Sequence, residues 1–317
     1  MTSDADTLDD AAAVFTSARR RLFGIAYRML GSTAEAEDVV QETWVRWQTT
    51  DRSAVVNPQA FLTTAATRLA INVLQSARSR RETYVGPWLP EPVDTSEDPT
   101  LGAERAEALD VAVLVLLERL TPTERAAYVL REAFDYGYPE IARIVGVSPT
   151  ATRQLVSRAR KHLASERRSS VSDAARRDLL AALLAAARAG DVERLERLFA
   201  EDVVSRTDSN GRVKQVARVA VVGRSKVARL LTAFSTFWEG VTVEPLELNG
   251  DAAMGLVRDG ELFATLTVTA SDAGLHQAMW QMNPDKLGAL RRARAGRAAP
   301  GATDGSATPG PSATARS

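Results

Sequence analysis

Apolar positions recur at helical spacing through Leu22, Ile25, Ala26 and Met29, and again through Val39, Val40 and Trp44. That period predicts a run of helices over residues 10–81. Gly31-Ser32 stops the first helix; Ser32 or Thr33 caps the second, whose early turns carry Glu35, Glu37 and Asp38. Asn57-Pro58 opens a third helix that runs to about Arg81. Pro87, Pro90, Pro92 and Pro99 then break the pattern, so residues 86–102 cannot form one helix and read as a linker. Helical spacing returns over 103–168. Beyond residue 173 two helical stretches, 174–189 and 192–200, precede short β-branched runs over 203–282. There Asp208-Ser-Asn-Gly211 and Arg258-Asp-Gly260 read as hairpin turns, residues 262–270 as a strand and residues 226–237 as a helix. After about Arg297 the chain is rich in Ala, Gly, Pro, Ser and Thr, a composition that predicts disorder. The expected divisions are 1–85, 86–102, 103–168, 173–290 and a tail at 291–317.

The sharpest local signal lies in residues 139–163. A short helix carrying Ile141, Ala142, Ile144 and Val145 ends at Gly146, which suits a left-handed turn. Val147 can fill the angle, Ser148 is a good N-cap, and Pro149 fits a first helical position. The next helix sorts by face. Thr152, Leu155, Val156, Ala159 and Leu163 fall inward; Arg153, Gln154, Ser157, Arg158 and Lys161 fall outward, with Arg160 at the margin. A cationic face alone would fit a merely solvated surface. Preceded by the short apolar helix and the Gly-Val-Ser-Pro turn, it reads as a helix-turn-helix whose second helix enters a major groove. Upstream, Thr121-Pro-Thr-Glu124 is a capping-box start for a supporting helix.

Composition narrows the field further. The 317 residues are 45% hydrophobic and 25% charged, with forty basic residues balancing forty acidic ones. Any nucleic-acid surface must therefore be local. No cysteine is present and histidine is limited to His162 and His276, which removes disulfides, thiolate chemistry and a Cys/His metal cluster. No apolar stretch approaches the ~20 residues of a membrane span, and the acidic start lacks the features of a secretory signal. A cytoplasmic protein without metal or cofactor is expected.

Residues 36–46, Ala-Glu-Asp-Val-Val-Gln-Glu-Thr-Trp-Val-Arg, resemble the core-binding helix of bacterial sigma factors. The apolar helix before it, Asn57-Pro-Gln-Ala-Phe-Leu62 after it and the helix-turn-helix downstream follow that family's order. Over roughly residues 11–164 the chain resembles an extracytoplasmic-function (ECF) sigma factor, with regions two and four and no domain between. The resemblance implies that Asp38, Gln41, Glu42 and Arg46 meet core RNA polymerase, through its β′ clamp helices and β subunit. It assigns Asn57, Arg68, Asn72, Arg78, Arg80 and Arg81 to the upstream promoter element, and Arg153, Gln154, Ser157, Arg158, Arg160 and Lys161 to promoter DNA.

An ordinary member would end near Arg168. The continuation resembles the SnoaL-like α+β cone fused to one group of these factors, so the expected fold is two all-α sigma domains plus an α+β domain. Trp88-Leu89-Pro90-Glu91-Pro92 and Asn283-Pro284-Asp285-Lys286-Leu287 match two signature strings of that group. The third, a Gly-rich hairpin from Asp-Gly to Lys, is altered here to Asp208-Ser-Asn-Gly-Arg212. The resemblance implies regulation in cis by the C-terminal domain, with no separate anti-sigma factor and no membrane partner. Local roles are open alternatives: Trp88 packing on its own helical domain, and Asn283 capping a short helix. Also open are a polymerase-independent helix-turn-helix regulator, a small-ligand sensor and an enzyme using His276, Asp272, Trp280 or Asp208. No convincing acid–base pair is visible among those four, and no catalytic residue is assigned.

Overall fold

The computed structural model describes residues 4–81, 84–96, 111–164, 171–214, 216–233 and 235–298. Side chains of 4–7, 77–81, 164, 235–236 and 296–298 are excepted. Helix α1 (Asp4–Leu30) stops at Gly31, whose φ of +66° only glycine adopts without strain. Ser32 caps α2 (Thr33–Thr49) by accepting from the Glu35 amide at 3.3 Å. Asn57 Oδ1 accepts from the Ala60 amide at 3.0 Å and opens α3 (Pro58–Arg81). The second helical segment holds α4 (Val111–Leu117), α5 (Pro122–Glu132), α6 (Tyr138–Val145) and α7 (Pro149–Ala164).

These seven helices share one core. Leu22 and Ile25 of α1 and Leu62 of α3 pack in the same cluster as Leu130, Ile141 and Val156 of α5, α6 and α7. Polar ties cross the same seam. The buried Arg125 donates to the Met29 carbonyl at 2.6 Å and to Glu118 at 2.7 Å, and Thr63 and Tyr136 share a hydrogen bond of 3.0 Å. The two helical segments are therefore packed against each other.

The C-terminal part runs α8 (Asp173–Ala189), α9 (Val192–Leu198), β1 (Phe199–Asp208), β2 (Val221–Val222) and α10 (Arg224–Thr232). It continues with β3 (Val241–Leu248), β4 (Asp251–Arg258), β5 (Glu261–Ser271), β6 (Gly274–Gln281) and α11 (Gly288–Ala298). The sheet order is β2-β1-β6-β5-β4-β3, with β1 and β6 parallel and the other pairs antiparallel. This is the α+β architecture expected. One face buries Leu266 and Trp280 against Leu180, Leu195 and Val227 from α8, α9 and α10. The opposite face receives Leu287 and Leu290 beside Leu248 and Leu262, and elsewhere takes Leu89, Val111 and Ala112 onto Met279.

Several sequence expectations need correction. Asp208–Gly211 has the turn chemistry, with Asn210 and Gly211 at φ of +45° and +69°, but closes no tight hairpin. The antiparallel partner of β1 is the distant β2, because β6 returns to fill the slot on its other side. The helix expected over 192–200 ends at Leu198, where Phe199 and Ala200 begin β1 and turn into the core. The helix expected over 226–237 is α10 followed by a 3₁₀ turn, Ser235–Trp238. Helix α11 covers the start of the expected disordered tail, held by Arg291 to Glu261 and Arg294 to Glu244, both at 2.6 Å. Residues 97–110 and 299–317 lie outside the described residues.

Candidate functional site

In the helix-turn-helix, Gly146 closes α6 at φ +74°, and Ser148 Oγ accepts from the Ala151 amide at 3.1 Å to start α7. Beneath it the Thr121–Glu124 capping box is formed in both directions, at 3.3 and 3.1 Å. Thr152, Val156, Ala159 and Leu163 are buried, which turns Arg153, Gln154, Ser157, Arg158 and Lys161 to solvent. The first four line one shallow surface recess. Arg153 stacks over Tyr138 at 5.4 Å, and Arg158 lies 3.5 Å from Glu124. Arg160 departs from the rest: both Nε and Nη2 donate to Glu132 Oε1, at 3.2 and 2.7 Å. The Glu132 carboxylate raises the Arg160 pKa above its ordinary value. Its guanidinium ties α7 to α5 in this conformation rather than standing free for a phosphate.

On α2, Val39, Val40, Thr43 and Trp47 turn inward and Trp44 packs at a tilt against Phe15, leaving Asp38, Gln41, Glu42 and Arg46 as one exposed polar face. Arg46 and Glu42 pair at 3.0 Å within that face. Such an exposed i,i+4 pair is worth at most a few tenths of a kcal/mol and leaves both groups available to a partner. Asn57, just before α3, and Asn72 on it are exposed. Arg68 is not free for DNA here: its Nε donates to the Ile144 carbonyl at 2.9 Å and its Nη2 to the Arg143 carbonyl at 3.0 Å. The end of α6 leaves those carbonyls without helical partners, and a guanidinium fork satisfies both. The side chains of Arg78, Arg80 and Arg81 lie outside the described residues.

The linker is where the two signature strings meet. Asp208, at the end of β1, is fully buried, and its carboxylate collects four donors. Tyr84 Oη reaches it at 2.5 Å, Lys286 Nζ at 2.7 Å, the Leu89 amide at 2.8 Å and Gln281 Nε2 at 3.4 Å. Lys286 also donates to the Leu89 carbonyl at 2.5 Å and sits over the Trp88 ring at 4.3 Å. Asn283 donates to Tyr84 Oη at 2.9 Å while its own side-chain oxygen accepts from the Asp285 amide at 3.1 Å, so it joins the junction as well as capping a local turn. Gln281 reaches the Pro90 carbonyl at 3.2 Å, and Arg212 pairs with Asp285 at 3.1 Å. Leu287 anchors the following turn in the core. Burial, reinforced by the hydrogen bond to the Asp208 carboxylate, pushes the Tyr84 hydroxyl pKa far above its ordinary value.

The same linker grips the N-terminal helices. Trp88 lies so close to Gly31 that an added Cβ there would sit 2.5 Å from Cη2 of its ring. The Glu91 amide donates to the Gly31 carbonyl at 2.8 Å. Its carboxylate accepts from the Thr33 amide at 2.8 Å and from the Thr33 hydroxyl, seating an anion on the first turn of α2. Tyr27 Oη donates to the Glu91 carbonyl at 2.7 Å and accepts from Asn249 Nδ2 at 2.6 Å. Burial pushes the Tyr27 pKa well up. Asn249, in the β3–β4 turn, further exchanges bonds with Val93 at 2.8 and 3.0 Å, and Asp94 bridges to Leu248. Residues 84–96, most of them in the stretch read as a linker, thus form a clasp between α1/α2 and the sheet, buried at Leu89–Pro92 and Thr95.

Sequence reasoning placed Trp88–Pro92, Asp208 and Asn283–Leu287 but missed Tyr27, Tyr84, Gln281 and Asn249. Tyr27 reads as core inside an apolar helix. Asn249-Gly250 is a hairpin pair with a visible signal, yet its reach to Tyr27 is tertiary. The four residues considered for catalysis do not converge. His276 bonds Ser271 Oγ at 2.7 Å and lies four residues along β6 from Trp280, roughly 13 Å at strand spacing. Asp272 is exposed in the β5–β6 turn, and Asp208 faces the linker. Among the described residues no helix is long and apolar enough to cross a membrane.

Comparisons agree with this division. The family model for Sigma-70 region 2 matches residues 14–80, and that for Sigma-70, region 4 matches residues 110–163. The chain is 42% identical over 222 residues to the ECF RNA polymerase sigma factor SigJ of Mycobacterium tuberculosis, covering 68% of this chain and 70% of that one. It is 30% identical over 223 residues to the probable ECF RNA polymerase sigma factor SigI of the same species, covering 69% and 75%. The crystal structure of the M. tuberculosis extracytoplasmic function sigma factor SigJ superposes with a TM-score of 0.69 at 33% identity. That superposition covers 87% of this chain and 98% of that one, so the likeness extends past both helical segments into the sheet.

Proposed function

Because the chain belongs to the extracytoplasmic-function sigma factors, which direct RNA polymerase to initiate transcription, we propose that its C-terminal domain controls that activity in cis through the linker clasp. The α2 face of Asp38, Gln41, Glu42 and Arg46 meets the β′ clamp helices of core polymerase. Arg153, Gln154, Ser157, Arg158 and Lys161 read promoter DNA in the major groove. Asn57, Asn72 and the basic end of α3 hold the upstream element, joined by Arg68 once α6 moves away. The protein works in the cytoplasm, needs no separate anti-sigma factor, and its C-terminal domain is regulatory rather than enzymatic.

The observation that carries this reading is the convergence of Tyr84, Leu89 and Lys286 on the buried Asp208 carboxylate. The linker that must carry regions two and four apart is held by the sheet instead. While the clasp is shut, Arg68 stays on the α6 carbonyls and Glu91 stays on the first turn of α2. Opening releases both contacts together. In-vitro transcription with purified core polymerase tests this: Asp208→Ala should raise initiation at limiting sigma factor. Output equal to wild type would reject cis control through this junction.

A further inference from the structure

On the face of the sheet opposite the clasp, Ser205 and Thr207 of β1 and Trp280 of β6 line a recess closed by Leu231, Phe237 and Met282, among others. The space inside it that the centre of a water-sized sphere can reach is about 60 Å³, and the recess opens to solvent. The walls are apolar, and none of the lining residues is ionisable. Thr207 adds a hydroxyl to them, and two further polar atoms are buried without a partner. Ser205 is 1% exposed and Trp280 4% exposed, and neither Ser205 Oγ nor Trp280 Nε1 has a hydrogen-bond partner.

A buried donor left unmade costs about 1–3 kcal/mol, so two in one cavity need a reason. The indole N–H can only donate, and the serine hydroxyl can donate beside it. Both donors suit a single oxygen with two lone pairs. A charged ligand would find no counter-charge in these walls. We propose that this recess is a binding site for a compact, neutral, mostly apolar molecule carrying one carbonyl-type oxygen, whose arrival loads the clasp through β1 and β6.

The register supplies the link. Thr207 pairs with Trp280, and the next rung pairs Asp208 with Gln281. Alternate residues of a strand face opposite ways. Thr207 and Trp280 therefore face the recess, while Asp208 and Gln281 on the adjacent rung hold Leu89 and Pro90. A molecule that shifts the ends of these strands must shift the clasp acceptors. Only this consequence rests on the regulatory reading above; the site itself does not.

Cyclopentanone is a suitable probe, with cyclopentane as the same shape lacking the acceptor. In the full chain, labelled with ¹⁵N, the Trp280 indole cross-peak is assigned through its loss in Trp280→Phe. Cyclopentanone should move that peak saturably, and Ser205→Ala should weaken binding about two- to tenfold. Ala217→Leu, in the half-buried part of the lining, should weaken it without removing either donor, which guards against a misfolded Ser205 variant. Cyclopentane should bind more weakly and leave the indole proton unshifted. At saturation the Leu89 and Glu91 amides should change their hydrogen-exchange rates. An indole peak that never moves, or moves without saturating, means that the recess holds water only and overturns the site. Saturable binding with unchanged exchange at Leu89 and Glu91 overturns the coupling; the clasp reading would then be judged separately, by Asp208→Ala without any probe.

Discussion

Removing the Asp208 carboxylate should open the clasp, and the structure sets the size of the effect. Asp208 has no exposed side-chain surface, and Lys286, its ionic partner at 2.7 Å, is only 13% exposed. Taking one partner from a buried pair costs about 3–5 kcal/mol because the other charge is left uncompensated. In Asp208→Ala, Lys286 keeps the Leu89 carbonyl and the Trp88 ring and has some access to water. The lower end, about 3 kcal/mol, therefore applies, which is roughly a 150-fold shift toward the open junction. Lys286→Met strands a fully buried carboxylate and should cost more, toward 5 kcal/mol. The double variant should cost less than the sum, since neither charge remains. Hydrogen exchange reads this best at two amides that span the junction without touching Asp208: Glu91, bonded to the Gly31 carbonyl, and Asn249, bonded to the Val93 carbonyl. Both should lose protection in step. Strictly additive costs, or unchanged exchange at both amides in Asp208→Ala, would refute the reasoning.

Gly31→Ala meets two penalties, a left-handed backbone and a Cβ 2.5 Å from the Trp88 ring, and should displace the Trp88 indole resonance. Gly146→Ala has the same backbone sign with open space around it, so about 1–2 kcal/mol of strain and an unmoved Trp88 are expected; equal effects on Trp88 would contradict the packing argument. Arg153→Ala should lower promoter-specific binding by about 1–3 kcal/mol while sparing polymerase association, and Glu42→Arg should do the reverse. A Glu42→Arg protein that still binds core polymerase at wild-type strength would favour a polymerase-independent regulator. Burial raises the Tyr27 pKa, so its neutral hydroxyl contributes stability below about pH 10, the unfolded value, and loses it as pH rises beyond. Urea unfolding should show the gap between wild type and Tyr27→Phe narrowing from pH 8 to pH 10.5; a constant gap would remove Tyr27 from the alkaline response.

The helical half was legible because its signals are local. Ser32, Asn57, Thr121 and Ser148 each act within four residues, and the inward face of α7 follows from a 3.6-residue period. The sheet was legible in kind but not in order. Nothing near Asp208-Ser-Asn-Gly211 tells that β6 takes the place beside β1, since that choice is made by a strand some seventy residues away. The clasp was half legible: two strings and one aspartate could be named, but not the fact that Asp208 and Lys286 share a hydrogen bond around the Leu89 peptide. Arg68 was assigned to DNA by the family resemblance, and Arg160 by its place at the margin of a cationic helix face. Each is satisfied by a neighbour that only the packing of the helices brings near: the α6 carbonyls for Arg68, Glu132 for Arg160.

The central claim is that a shut clasp keeps the two helical segments together until polymerase takes them. Since the chain has no cysteine, Gln48→Cys and Arg143→Cys, both exposed, place one dye on α2 and one on α6. Energy transfer between them should be high in the free protein, fall when core polymerase is added, and already be partly lowered in free Asp208→Ala. Transfer that stays high in the polymerase complex, or is identical in the free wild-type and Asp208→Ala proteins, would contradict it.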